Sequence, residues 1–108
     1  MADNVKLLLV DDNPMILGML QQALSSLASI TTATDSADAL LKAVDDAPDL
    51  LVCDFRMPGM DGRQLLEKLK SRPATANFSS VLMASKSDIA ERLSPQDAAD
   101  DYLEKPFS

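Results

Sequence analysis

Apolar positions in this chain come in two textures: unbroken runs of a few residues, and longer stretches in which they recur at helical spacing. Val5-Lys6-Leu7-Leu8-Leu9-Val10 is such a run, and it stops on Asp11-Asp12. A run without alternation suits a strand covered on both faces, as in a parallel sheet packed between helices. Asn13 then caps a helix that has Pro14 at its first position, where the missing N–H is harmless. Ile16, Leu20, Ala23, Leu24 and Leu27 fall on one side of that helix. β-Branched residues predict a second strand over Ile30 to Thr34, and Asp35 or Ser36 caps a helix that runs through Val44 with a buried stripe of Ala37, Leu40, Leu41 and Val44. Pro48 ends that region, and Asp49 to Asp54 reads as the third strand.

The second half repeats the scheme. Pro58-Gly59 forms a turn, and Asp61-Gly62 steps into a helix with Leu65, Leu66 and Leu69 inward and Glu67, Lys68 and Lys70 in water, closed by Arg72-Pro73. A loop over residues 74–79 leads to a fourth strand, Ser80 to Ser85. Ser87 or Asp88 caps a short helix from Ile89 to Leu93, which Pro95 interrupts or restarts, and a short fifth strand lies near Tyr102-Leu103. Regular alternation of strand and helix calls for an α/β layer fold with a parallel sheet and right-handed crossovers.

Composition narrows the class. At 108 residues, 46% hydrophobic and 25% charged, the chain fits one domain with one core. No stretch approaches the roughly 18 to 20 apolar residues of a membrane span, and the acidic start Met1-Ala2-Asp3-Asn4 is unlike a secretory leader. The single Cys53 sits in an apolar run, where it reads as a small buried hydrophobe, excludes a disulfide framework and fits a reducing cytoplasm. Met15 and Met19 read as packing material. A formal net charge of -7 disfavours direct nucleic-acid binding, and the absence of His removes the commonest general base and zinc ligand.

Candidate chemistry lies where the strands end. Asp11 and Asp12 close the first strand, Asp54 the third, Ser85 the fourth, and Lys105 follows the fifth. Each has a plain explanation alone, since acids cap helices and turns, a serine ends a strand, and a lysine is usually a solvated charge. Together they converge on the carboxyl edge of one sheet, where open α/β folds place ligands. Three carboxylates held close repel one another and take up protons unless a cation neutralises them. An all-oxygen donor set points to Mg²⁺, which binds through one or two carboxylates plus a phosphate. With that ion, Asp54 can attack a phosphoryl group in line, Lys105 neutralises the transferring oxygens, Ser85 donates a hydrogen bond to them, and the product is an aspartyl phosphate.

The ordered set Leu9-Val10-Asp11-Asp12-Asn13, Asp54-Phe55-Arg56-Met57-Pro58-Gly59-Met60-Asp61-Gly62, Ser85, and Asp101-Tyr102-Leu103-Glu104-Lys105-Pro106-Phe107 resembles the receiver domain of two-component response regulators over nearly the whole chain. The resemblance implies a flavodoxin-like, doubly wound five-stranded parallel sheet of strand order 2-1-3-4-5. It implies that Asp54 accepts phosphate from a histidine kinase or phosphotransfer protein, and that the domain acts as a cytoplasmic signalling switch on an output domain or target protein rather than as a turnover enzyme. By the same analogy Asp12 and Asp54 ligate Mg²⁺ directly, Asp11 acts through water, and the backbone carbonyl of Arg56 completes the protein's share. Ser85 and Tyr102 form the switch pair, and the Lys105-Pro106 bond is cis in relatives.

Several positions depart from the family pattern. Lys86 stands where relatives carry a small residue, and Arg56 is a second cation at the rim. Either can slow phosphodonor access or shield the phosphorylated state from water, and solvent exposure is the plain alternative for both. Ala98 replaces a common Gly. Relatives continue into a fifth helix beyond Phe107, so residues 1–108 are expected to be a receiver truncated before its last helix. The alternative is that another subunit or domain covers the face beside the first helix, as a dimer or swapped assembly. Two rival functions remain. A Mg²⁺-dependent phosphohydrolase wants an acid two residues after its nucleophile, where this chain has Arg56, and a degenerate receiver acts as a phosphorylation-independent interaction module.

Overall fold

The computed structural model describes residues 5–91 and 100–105. Its strands are β1 Val5–Val10, β2 Ala28–Ala33, β3 Leu50–Asp54, β4 Ser79–Ser85 and β5 Asp101–Lys105, and its helices are α1 Pro14–Leu24, α2 Ser36–Asp45, α3 Gly62–Lys70 and α4 Lys86–Glu91. All strand pairs are parallel, in the order β2-β1-β3-β4-β5, so the expected doubly wound topology is the one formed. A 3₁₀ turn, Pro73–Thr75, occupies part of the expected loop, and Thr75 ties it to α3 by donating to the Leu69 carbonyl at 2.7 Å.

The pleat sorts the apolar runs onto two faces. Leu8 and Val10 of β1, Leu51 and Cys53 of β3, and Leu82 and Ala84 of β4 pack with Ala39 and Ala43 of α2 and Leu65, Leu66 and Leu69 of α3. Leu7, Leu9, Val52 and Met83 point the other way, against Leu17 of α1. Each alternate residue is thus buried by a different helical layer, which is why the strands carry no polar alternation. The α1 layer is thinner among the described residues: Val5, Met19, Leu27 and Leu103 are all exposed.

Two helices are rotated from the expected registers. α2 buries Ser36, Ala39 and Ala43 and leaves Leu40 partly covered, while Ala37, Leu41 and Val44 face water, with Leu41 73% exposed. Small side chains let this helix approach the sheet closely. Its rotation is fixed by the Ser36 hydroxyl donating to the Met60 carbonyl at 2.7 Å and the Lys42 ammonium donating to the Thr32 carbonyl at 2.6 Å. In α1 the buried residue is Leu17; Ile16, Leu20 and Leu24 are partly covered, Ala23 is exposed, and Leu27 lies beyond the helix end. α4 begins at Lys86, so neither Ser87 nor Asp88 caps it. The cap-like bond is made by the Ser85 hydroxyl, which accepts from the Asp88 N–H at 3.1 Å. The expectations for Leu93, Pro95, Ala98 and the Lys105-Pro106 bond lie outside the described residues.

Candidate functional site

Register brings the polar strand ends together. Val10 pairs with Cys53, so Asp11 and Asp54 sit side by side one residue further on, and Ser85 pairs with Lys105 at the far end of β4 and β5. Asp11 is fully buried, its N–H bonded to the Ala33 carbonyl at 3.2 Å. One carboxylate oxygen accepts from the Asn13 N–H at 2.9 Å, and the other accepts from Lys105 Nζ at 3.2 Å. Lys105 Nζ also stands 3.4 Å from Asp54 Oδ1. Asp12 is exposed, yet Asp11, Asp12 and Asp54 each bring a carboxylate oxygen to within 4.8 Å of the others.

The segment after Asp54 is held from below. Phe55 N–H bonds to the Met83 carbonyl and Gly62 N–H to the Phe55 carbonyl, both at 2.8 Å. A Cβ on Gly62 would come within 2.5 Å of the Asp54 carbonyl oxygen and 2.9 Å of Leu82 Cδ2, so only glycine lets α3 start this close to the site. Asp61 and Gln64 close the N-terminus of α3 with reciprocal side-chain to backbone bonds. Gly59, with φ at +78°, makes the turn between.

Burial, then the neighbouring Asp11, push the Asp54 carboxyl up to about 6 against the opposing pull of Lys105, with Asp12 adding to the rise. That proton affinity tests the site for a cation. Three hard oxygen donors close to one another, two of them sharing one lysine, hold excess negative charge, and the donor set fits a small divalent ion such as Mg²⁺. Burial, then the nearby Asp54, Asp11 and Asp61, push the Cys53 thiol up as well, which makes it an inert packing group.

The remaining candidates occupy the rim. Ser85, half-buried, bonds through its hydroxyl to α4 and shares a 3.2 Å hydrogen bond with the Ser87 hydroxyl. Tyr102 is half-buried against the core, and Lys86 is exposed. Arg56 lines an open cleft of about 440 Å³ together with Phe55, Met57, Pro58, Gly59 and Asp61. Its guanidinium is engaged by Asp88, Nε to Oδ2 at 2.6 Å and Nη2 to Oδ1 at 2.7 Å. Sequence reasoning treated Asp88 only as a cap. The partners are 32 residues apart, one on the loop after β3 and the other in α4, and no spacing rule links them.

An open parallel sheet of this order, with an acid edge at its carboxyl end, places the chain among the doubly wound α/β domains. It belongs to the response regulator receiver domain family, whose model matches residues 7–108. The chain is 36% identical over 107 residues to the alkaline phosphatase synthesis transcriptional regulatory protein PhoP of Bacillus subtilis (strain 168), covering 97% of this chain and 44% of that protein. It is 38% identical over 101 residues to the DNA-binding transcriptional regulator NtrC of Klebsiella pneumoniae, covering 92% of this chain and 21% of that one. The chain thus spans less than half the length of these curated relatives. Among solved structures it resembles the N-terminal domain of a response regulator receiver protein from Methanoculleus marisnigri, with a TM-score of 0.81, 29% identity, and coverage of 94% of this chain and 85% of that one. The fold also matches the chemotaxis response regulator of Vibrio cholerae, with a TM-score of 0.89 at 24% identity, over 98% of this chain and 90% of that one. No helix among the described residues is long and apolar enough to cross a membrane.

Proposed function

We propose that residues 1–108 form a phosphoacceptor receiver that takes a phosphoryl group onto Asp54 from a histidine kinase or phosphotransfer protein in the cytoplasm and changes its surface in response. The observation that carries this reading is the meeting of three carboxylates within 4.8 Å of one another, with Lys105 Nζ reaching both Asp11 and Asp54. Asp11, Asp12, Asp54 and the backbone carbonyl of Arg56 are the groups that would hold Mg²⁺. Bound there, the ion neutralises charge on the phosphoryl oxygens.

Asp54, ionised above pH 6, supplies the oxygen that bonds to phosphorus as the donor's P–N bond breaks and the imidazole departs with the electron pair. Lys105, which reaches both Asp11 and Asp54, would bind a phosphoryl oxygen once Asp54 carries the acyl phosphate. To reach that group the Ser85 hydroxyl must leave the Asp88 N–H, and this exchange, with the ring of Tyr102 turning inward, couples the site to α4. A partner or output domain then reads the change by binding one arrangement more tightly than the other.

Incubation with Mg²⁺ and acetyl phosphate tests the reading. Mass spectrometry should find a single labile phosphate on Asp54, absent from Asp54→Asn. Release of phosphate over many turnovers would identify a hydrolase instead, and an unlabelled chain would identify a phosphorylation-independent interaction module.

A further inference from the structure

The Arg56–Asp88 pair has the paired-fork geometry of the strongest side-chain ion pairs, with two charge-assisted bonds of 2.6 and 2.7 Å. Its two members are unequal. The Asp88 side chain is 4% exposed and that of Arg56 is 64% exposed. An arginine in water has many rotamers, whereas a carboxylate packed at the start of a helix has few, so the aspartate fixes the arginine. The arginine lies two residues beyond Asp54 on the loop that leaves β3, and Asp88 lies in the first turns of α4, three residues beyond Ser85. One residue thus receives the guanidinium through its side chain and gives its N–H to the Ser85 hydroxyl.

We propose that Asp88 is a positioning residue for phosphoryl transfer: it anchors the Arg56 guanidinium to α4 at the outer rim, clear of the Asp54 carboxylate, and so limits how fast an anionic phosphodonor is accepted. This rests on Asp54 being the phosphoacceptor. While paired, the guanidinium adds no net charge to a pocket mouth that already holds three carboxylates against one lysine. Set free, it is a planar cation matched to phosphate oxygens, on a tether that starts beside the acceptor. Acceptance of phosphate by this chain is therefore restrained by a carboxylate outside the acid cluster.

The test compares Asp88→Asn, Asp88→Glu, Arg56→Gln and the Asp88→Asn/Arg56→Gln double variant in the full chain. Two quantities are read: the rate of Asp54 labelling by subsaturating acetyl phosphate with Mg²⁺, and the Arg56 Nε–H resonance of the unlabelled, metal-free protein. The wild type should show a sharp, exchange-protected Nε–H resonance. Asp88→Asn should lose it and label about threefold faster or more, while Asp88→Glu should broaden it and fall between the two in rate. With Arg56 already replaced, removing Asp88 should change the rate by less than half as much on a logarithmic scale.

A resonance unmoved by Asp88→Asn would overturn the proposal, as would an unchanged labelling rate or an equal acceleration in the Arg56→Gln background. If Asp88→Asn does not fold, Asp88→Glu decides, because faster labelling with an unaltered Nε–H resonance contradicts the mechanism. A wild type that takes no label on Asp54 overturns the phosphoacceptor reading and this inference together. A labelled wild type with an indifferent Asp88→Asn overturns the positioning role alone.

Discussion

Replacing Asp54 with Asn should make the metal-free protein more stable at pH 7.5, although it removes the residue on which the proposed function depends. The Asp54 carboxyl is raised from the ordinary 3.8 to about 6 by burial and by Asp11, so the folded state holds the Asp54 proton more tightly than the unfolded chain does. For an acid shifted in this direction, stability is greatest below pH 4, falls as pH rises from about 4 to about 6, and stays reduced above that. About two pKa units correspond to about 3 kcal/mol, and local relaxation together with loss of the 3.4 Å Lys105 contact brings the expected gain of Asp54→Asn to about 1 to 2 kcal/mol. Urea denaturation in EDTA at pH 7.5 and pH 4.5 reads this directly. The gap between variant and wild type should shrink by about two-thirds at the lower pH, because wild-type Asp54 is then mostly protonated in the fold. Adding Mg²⁺ at a hundredfold excess over its dissociation constant should stabilise the wild type by about 2.7 kcal/mol and the variant far less. An Asp54→Asn protein no more stable than wild type in EDTA at pH 7.5, or a gap indifferent to pH, would refute the account of the site as crowded ionised acids.

Three further outcomes follow from packing. Gly62→Ala places a methyl group 2.5 Å from the Asp54 carbonyl oxygen and should cost about 2 to 3 kcal/mol in urea denaturation, with Mg²⁺ binding weakened because the end of β3 that carries Asp54 shifts. Ser80→Ala removes a buried hydroxyl that accepts from the Asp100 N–H at 3.1 Å, so it should cost about 1 to 2 kcal/mol and speed hydrogen exchange over 101–105 more than elsewhere. Leu41→Lys should stay within about 0.5 kcal/mol of wild type while Leu66→Ala loses about 3 kcal/mol; equal losses would restore the stripe expected from spacing.

The strands and their polar ends were legible because burial on both faces removes alternation, and a carboxylate closing an apolar run has few places to go except the sheet edge. The face of α2 was not. Leucine and valine at helical spacing outweighed Ala39 and Ala43, but what turns this helix is close approach to the sheet and the Ser36 bond to Met60, and neither leaves a hydrophobic signature. The cap of α4 was misplaced for a related reason: Ser85 ends a strand and starts a helix with no residue between them, so Ser87 and Asp88 looked free for the role. Arg56 is legible in the sequence as a rim charge but its partner is not, since the pair depends on how the loop after β3 meets α4 in space.

The contact between Lys105 and Asp11 joins positions 94 residues apart. On the ribosome β1 and β3 emerge well before β5. A nascent chain that has paired its first strands therefore carries the aspartates without the ammonium that balances them. Until the edge strand docks, a divalent cation held by those carboxylates would have to supply the missing counter-charge.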